Sequence, residues 1–250
     1  MSGPEQQLWT FEERVKHALI PSGLYIRYKV MKERWSGEPE LRLLEMLVDR
    51  QRNAVDAGAN KGTFTHVLAG LARHVYAFEP NPKMLAVLRQ TAAANVTVSA
   101  QALADRNGAA EFLIPRDSRG GHSNQGGSLS RVKVRGEHTV VPVQMARLDD
   151  LGLQDIGFIK IDVEGGELEL LAGATQLLAR DRPVLLIEME EVHTQTPIEL
   201  SLAKVLQFGY RGMFFDRSRQ SLRLLEDFDP EAMHRQRGAG YVFNFIFLPA

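Results

Sequence analysis

The chain has 250 residues, of which 44% are hydrophobic and 24% charged, and these values are typical of one large globular domain or of one domain with an appendage. Its 30 Lys and Arg residues balance 31 Asp and Glu residues, so charge alone provides no basic surplus for binding nucleic acid. The chain contains no cysteine, which excludes disulfides, thiolate metal sites and a cysteine nucleophile.

From the sequence we expect neither a secretory signal nor a membrane span. No apolar stretch approaches the roughly 18–20 residues that a transmembrane helix needs. The first residues also lack a basic segment followed by an apolar core. We therefore expect a cytoplasmic protein.

The N-terminal part of the chain differs from the rest. Residues 1–36 are rich in aromatic and charged side chains, and they predict a helical extension with a break at Pro21-Ser22-Gly23. Ser36-Gly37-Glu38-Pro39 then predicts the start of a new helix, because proline is tolerated in a first turn. We expect the main domain to occupy residues 37–250.

Strand-like and helix-like segments alternate from residue 54 onwards. Such alternation predicts βαβ units and an open α/β sheet, mostly parallel, with helices on both faces. Strands are predicted at 54–57, 74–78, 96–100, 157–161 and 183–187, and helices at 61–72, 82–94 and 167–179. Residues 210–215 and 241–248 predict an antiparallel pair at one edge of the sheet.

A glycine-rich, polar stretch interrupts this alternation over residues 115–136. A loop of this length inside a compact domain is typically functional or disordered. Short predicted strands near 111–114 and 139–145 make it the tip of a hairpin-like excursion, and we expect it to be mobile.

The carboxyl ends of the predicted strands carry the chemistry, because ligands of open α/β sheets bind there. The first strand ends in Asp56-Ala57-Gly58-Ala59-Asn60-Lys61-Gly62, a glycine turn without the third glycine of the dinucleotide fingerprint. The second strand ends in Glu79, 23 residues after Asp56, near the offset of about 20 at which an acid reaches ribose hydroxyls.

Further acids follow the later strands. Asp105 could accept a hydrogen bond from an adenine amino group, or it could begin the turn at residues 105–108. Asp162, Glu164 and Glu188, followed by His193, could form a general base, a site for a hard cation or a rim of solvated charge. Lys160 is expected to point away from this chemistry, covering a helix or pairing with an acid.

Four sequence blocks together resemble the FkbM family of S-adenosylmethionine-dependent methyltransferases. They are Asp56-Ala57-Gly58-Ala59-Asn60-Lys61-Gly62, Phe78-Glu79-Pro80-Asn81, Ala102-Leu103-Ala104-Asp105 and Ile159-Lys160-Ile161-Asp162-Val163-Glu164-Gly165 with Glu167. The resemblance implies a class I methyltransferase (Rossmann-like) fold of about seven strands with an antiparallel C-terminal strand. It also implies methyl transfer to a hydroxyl of a sugar, polysaccharide or polyketide-type natural product.

The resemblance assigns roles residue by residue. Asp56, Gly58 and Asn60 would line the amino-acid end of S-adenosylmethionine, and Glu79 would hold its ribose. Asp105 and its neighbour Ala104 would lie near adenine. Asp162 would face the methyl donor and the acceptor.

A sugar hydroxyl is a poor nucleophile, so a base or a metal would assist it. The candidate bases are Asp162 and His193, and His122 is a further candidate if the glycine-rich loop closes over the site. Asp162 and Glu188 could together hold Mg²⁺ through oxygen ligands.

Two alternatives stay open, namely a nucleotide-dependent oxidoreductase and a non-catalytic protein that binds an adenosyl ligand. The expected partner is a small-molecule or glycan acceptor, with no nucleic acid and no membrane span. The sequence leaves the oligomeric state open, a homodimer included.

Overall fold

A computed structural model describes residues 21–116, 127–129 and 137–250 of the chain. Within these ranges eight strands form one main sheet in the order β10-β9-β11-β8-β7-β1-β2-β3. The strands are β1 (Asn53–Ala57), β2 (Val75–Phe78), β3 (Val96–Ser99), β7 (Ile156–Ile161), β8 (Val184–Glu188), β9 (Tyr210–Asp216), β10 (Ser221–Leu224) and β11 (Asn244–Pro249).

The predicted open α/β architecture is confirmed. Strands β3, β2, β1, β7 and β8 are mutually parallel, and β11 runs antiparallel to β8 and β9. The predicted antiparallel pair near the C-terminus is therefore present. However, β11 lies inside the sheet and β10 forms its edge, so the described sheet has one strand more than expected.

Helices cover both faces of the sheet. They are α1 (Ser22–Ser36), α2 (Leu44–Leu47), α3 (Thr63–Ala69), α4 (Pro82–Thr91), α5 (Glu167–Ala172), α6 (Thr175–Asp181), α7 (Glu191–Thr194) and α8 (Ile198–Leu206), with a 3₁₀ turn at Pro39–Arg42. No helix in the described ranges is long and apolar enough to span a membrane.

Two helix predictions were wrong in detail. A helical turn does start at Pro39 with the proline in its first turn, as predicted, but Ser36 ends α1 and the chain after it forms only the 3₁₀ turn and the short α2. The single helix predicted over 167–179 is interrupted at Gly173, where a Cβ atom would lie 2.0 Å from the carbonyl oxygen of Ala104. That close approach comes from a distant strand, which local sequence patterns do not indicate.

A second, three-stranded sheet contains the hairpin-like excursion. Its order is β4-β6-β5, formed by β4 (Ala102–Leu103), β5 (Gly108–Pro115) and β6 (His138–Ala146). Of the loop predicted over 115–136, the structure describes residues 115, 116 and 127–129. His122 lies outside the described residues, as do residues 1–20 of the predicted extension.

The central strands separate two cores because successive side chains point to opposite faces. Val55, Ile159 and Ile187 pack against α5, α6 and α8 on one face. Ala54, Phe158, Leu186 and Ile246 pack on the other face, with residues of α1 to α3. These buried runs explain why the strands read as almost continuously apolar.

We expect Leu186→Ala to lower the free energy of unfolding by about 2–5 kcal/mol, because it leaves a cavity at a fully buried position of a central strand. Urea unfolding would measure the change. Leu200→Ala makes the same chemical change at a position that is 57% exposed on α8, and it should have little effect. Similar losses at both sites would contradict this packing.

Candidate functional site

A polar row crosses the main sheet at the carboxyl ends of its parallel strands. On the face covered by α1 to α3, Ala54, Phe158, Leu186 and Ile246 form an apolar row across the sheet. A second row lies two residues away along each strand, on the same face. That row consists of Asp56, Lys160, Glu188 and Asn244. Asp56 and Lys160 are paired neighbours on β1 and β7, and Glu188 and Asn244 are paired neighbours on β8 and β11.

The glycine turn after β1 brings two strand ends into contact. Gly58 has a φ of 78°, and a Cβ atom there would lie 1.8 Å from the carbonyl oxygen of Asp162. A side chain would therefore be both strained and blocked by the backbone that follows β7. The backbone N–H groups of Gly58 and Ala59 donate to the carbonyl oxygen of Phe78, which fixes the turn against β2.

Glu79 joins this turn to the end of β2. Its two carboxylate oxygens accept hydrogen bonds from the backbone N–H groups of Asn60 and Asn81, each at 2.7 Å. Burial raises the pKa of Glu79 to about 7 despite these two donors. A carboxylate offers about four lone pairs, so Glu79 retains acceptor capacity for a diol.

A cavity of about 520 Å³ opens beside Glu79, and most of the residues expected near an adenosyl group line it. Ala104 is buried in its wall, while Asp105 is exposed at its edge and forms an ion pair with Arg106 at 3.3 Å. Gly127, Ser128 and Leu129, from the far end of the predicted loop, also line it. The Ser128 hydroxyl donates to the carbonyl oxygen of Glu164 at 2.7 Å, which connects the hairpin to the loop after β7.

A second cavity of about 810 Å³ lies above the polar row. Its lining includes Asp56, Lys160, Asp162, Glu188 and His193, together with Glu38 from the segment after α1. Gly58, Asn60, Asp162 and Glu164 line both cavities, so the two spaces meet at the turns after β1 and β7. We call the first space the adenosyl cavity and the second the acidic cavity.

Burial dominates the electrostatics of the acidic cavity. It raises the pKa of Asp56 to about 6, although the Thr65 hydroxyl donates to this carboxylate at 2.5 Å. Burial also raises the pKa of Glu38, and burial together with the nearby Asp162 raises that of Glu188. These carboxyl groups are consequently easier to protonate than exposed ones.

Lys160 is buried among these acids. It pairs with an acid, as predicted, but it lines the acidic cavity and does not point away from it. Its Nζ lies 3.7 Å from Oδ2 of Asp162 and 5.1 Å from the centre of the Phe64 ring. Burial alone would lower the pKa of Lys160, but the surrounding carboxylates raise it above its usual value. The ammonium therefore stays charged, yet no atom of the described residues accepts a hydrogen bond from it.

His193 lies at the wall of the acidic cavity, between two carboxylates. Its Nε2 is 3.5 Å from Oε2 of Glu164 and 3.5 Å from Oε1 of Glu190. The Tyr241 hydroxyl donates to the other oxygen of Glu190. Both candidate bases, Asp162 and His193, thus line the same space.

The magnesium interpretation is not supported. Asp162 and Glu188 both line the acidic cavity, as expected, but the described residues contain no group of three or more His, Asp or Glu side chains suited to holding a metal ion. Lys160 supplies positive charge beside Asp162, where a cation would be needed.

Sequence reasoning missed Glu38 and misplaced Lys160. A signal existed for Lys160, because a charged residue stands inside an otherwise apolar buried strand. It also shares the sheet face of Phe158, two residues earlier. No comparable signal marks Glu38, whose place at the cavity depends on how the segment after α1 packs.

The family can now be assigned, because the model of the FkbM methyltransferase domain matches residues 56–241. The chain belongs to the FkbM methyltransferase family. The match starts at Asp56 in the glycine turn and extends to Tyr241, which contacts Glu190. No curated protein matches the chain.

Solved structures agree on the fold of this FkbM-family chain. The FkbM methyltransferase of Methylobacillus flagellatus is 17% identical, with a TM-score of 0.51, over 97% of this chain and 56% of that one. This chain therefore spans little more than half of that protein. The class I methyltransferase fold expected from the sequence is confirmed, and the oxidoreductase alternative gains no support.

Two other similar structures cover most of both chains. A Streptococcus mutans protein in complex with SAH is 15% identical with a TM-score of 0.49, over 84% of this chain and 96% of that one. A TehB-like SAM-dependent methyltransferase from Corynebacterium glutamicum is 13% identical with a TM-score of 0.46, over 91% and 97%.

We expect Gly58→Ala to destabilise the protein by clearly more than the roughly 1–2 kcal/mol that a left-handed alanine costs, because its Cβ would also collide with Asp162. Gly152→Ala is the matched control, since Gly152 has a φ of 65° with nothing within 4 Å of an added Cβ. Equal losses of unfolding free energy in urea would show that the contact between the two turns is unimportant.

Proposed function

We propose that the protein transfers a methyl group from S-adenosylmethionine to a hydroxyl of an uncharged polyol, such as a sugar, a polysaccharide or a polyketide-type natural product. The observation that carries this proposal is the meeting of two cavities at Gly58, Asn60, Asp162 and Glu164. One cavity has the acceptors that an adenosyl group needs, and the other has room and carboxylates for an alcohol.

The residues around the adenosyl cavity fit the donor. Glu79 would accept hydrogen bonds from the two ribose hydroxyls, and the backbone near Ala104 and Asp105 would contact adenine. The glycine turn leaves room for the amino-acid portion because Gly58 has no side chain. Asp56 and Asn60 would lie along that portion, as the family resemblance implies.

The charge of the acidic cavity favours an uncharged acceptor. Among the described side chains that line it, seven carboxylates face three lysines and one histidine. A uronate or phosphate would enter against this excess of negative charge at an unfavourable energy. A polyol can instead donate hydrogen bonds to the carboxylates and accept one from Lys160.

The protein's part in the chemistry is alignment and proton removal. S-adenosylmethionine supplies an activated methyl group for in-line displacement by an oxygen nucleophile. The chain would hold the acceptor hydroxyl at the junction of the cavities, where Asp162 or His193 could take its proton. The Lys160 ammonium, fixed below Asp162, would favour the alkoxide character that develops on that oxygen.

We further propose that residues 37–250 form the methyltransferase domain and that residues 1–36 extend it. The described part of this extension, α1, packs on α3 and α4 and on the turn at Pro39–Arg42. Lys29 and Glu33 of α1 line the rim of the acidic cavity. The extension would therefore form one wall of the acceptor site.

Glu79→Ala should weaken S-adenosylmethionine binding by about 1–3 kcal/mol, because the ribose hydroxyls would lose a buried partner. Titration calorimetry on folded protein measures this. Glu169→Ala is the control, since Glu169 is exposed at the edge of the same cavity. Unchanged donor affinity in Glu79→Ala would contradict the assignment of the ribose site.

Asp162→Asn should reduce turnover about 100-fold or more while donor affinity falls by about tenfold at most, because a general base contributes mainly to the chemical step. Transfer of a labelled methyl group to a panel of neutral sugars and polyols provides the measurement. His193→Asn tests the other base in parallel. Donor binding without transfer to any panel member would favour the non-catalytic adenosyl-binding alternative.

A further inference from the structure

The junction of the two cavities is the place where a donor molecule would change its surroundings. Glu79, at the ribose position, lies in the adenosyl cavity, whereas Asp56, Lys160 and Glu188 lie in the acidic cavity. A ligand anchored at Glu79 and extended past Gly58 would bring its sulfur centre to the edge of the acidic cavity. The positive charge on that sulfur would then interact electrostatically with the carboxylates there.

Four carboxyl groups lie close to this junction, and we call them the carboxylate row. Asp56, Glu188, Glu38 and Asp162 surround a single buried ammonium, that of Lys160. Asp56 and Lys160 are both about 1% exposed, so water screens their interactions weakly. The Lys160 ammonium has no hydrogen-bond acceptor among the described residues, which indicates that a bound ligand completes its surroundings.

We propose that this carboxylate row makes the protein select its cofactor by charge, binding S-adenosylmethionine more tightly than S-adenosylhomocysteine, so that methyl transfer itself releases the spent cofactor. The inference rests on the proposed function. It concerns how the same site distinguishes donor from product, and it assigns Glu188 a role in specificity.

The charge balance of the reaction supports this selection. When the S–CH₃ bond breaks, its electron pair stays on sulfur, which changes from a cationic sulfonium to a neutral thioether. The new O–CH₃ bond forms as the hydroxyl proton passes to a base of the site. The cofactor thus loses one positive charge beside the carboxylate row, and it loses the attraction that came with that charge.

Lys160 has a defined part in this arrangement. Without a nearby cation, the four neighbouring carboxyl groups would take up protons because their negative charges repel one another. Protonation would remove the negative charge that attracts the sulfonium. One buried ammonium keeps part of the row ionised without neutralising it completely. The row can then remain net negative in a buried site.

The test is titration calorimetry of the full chain without an acceptor, using S-adenosylmethionine, S-adenosylhomocysteine and sinefungin, which carries an ammonium in place of the methylated sulfonium. We expect S-adenosylmethionine and sinefungin, the two cationic ligands, to bind at least about tenfold more tightly than the neutral S-adenosylhomocysteine. Equal or tighter binding of S-adenosylhomocysteine would overturn the inference while leaving the proposed function intact. Binding of none of the three would refute the proposed function itself.

Glu188→Gln, measured at a pH above the raised pKa of Glu188, sharpens the test because it then removes one charge from the row at almost constant shape. We expect it to reduce the preference for cationic ligands about three- to tenfold and to leave S-adenosylhomocysteine affinity nearly unchanged. Glu45→Gln is the control, since Glu45 is an exposed acid on a separate groove beneath α1. An equal loss of affinity for all three ligands in Glu188→Gln would also count against the inference.

Discussion

The interaction on which the site depends is the burial of one lysine ammonium among several carboxylates. Lys160 comes from the middle of the sheet, and its acidic neighbours come from β1, β8 and the segments after α1 and β7. Burying any one of these charges alone would cost much free energy, and the opposite charges nearby reduce that cost. The fold brings them together by placing polar residues at matching positions of adjacent strands. The site therefore depends on the sheet, which supplies Asp56, Lys160 and Glu188, and on the segments after α1 and β7, which supply Glu38 and Asp162.

Two backbone features connect this charged row to the adenosyl cavity. The absence of a side chain at Gly58 lets the turn after β1 touch the backbone of Asp162, and Glu79 fastens the same turn to the end of β2. Because these contacts involve main-chain atoms, the two cavities are held in one geometry. Such alignment matters for displacement reactions, in which small errors in position reduce the rate strongly.

Much of the fold and part of the site could be predicted from the sequence. Buried parallel strands are apolar and end in loops, so the order of the residues alone places Asp56, Glu79 and Asp162 at one edge of a sheet. Gly173 shows where this reasoning stops, because the lack of room for a side chain there depends on the distant backbone of Ala104. Glu38 shows the same limit for the site. The sequence predicted that Lys160 pairs with an acid, but its place in the acidic cavity depends on Asp56 and Glu188 of the neighbouring strands.

The charged row lies two residues beyond the apolar row along each strand, and this spacing limits which sequence changes the protein tolerates. Single substitutions in the row alter one group at a time and leave the remaining strands in place. Inserting or deleting one residue within β7 would turn Lys160 towards the opposite core and present an isoleucine to the acids. Length changes in that strand would thus abolish the site and disturb both cores together.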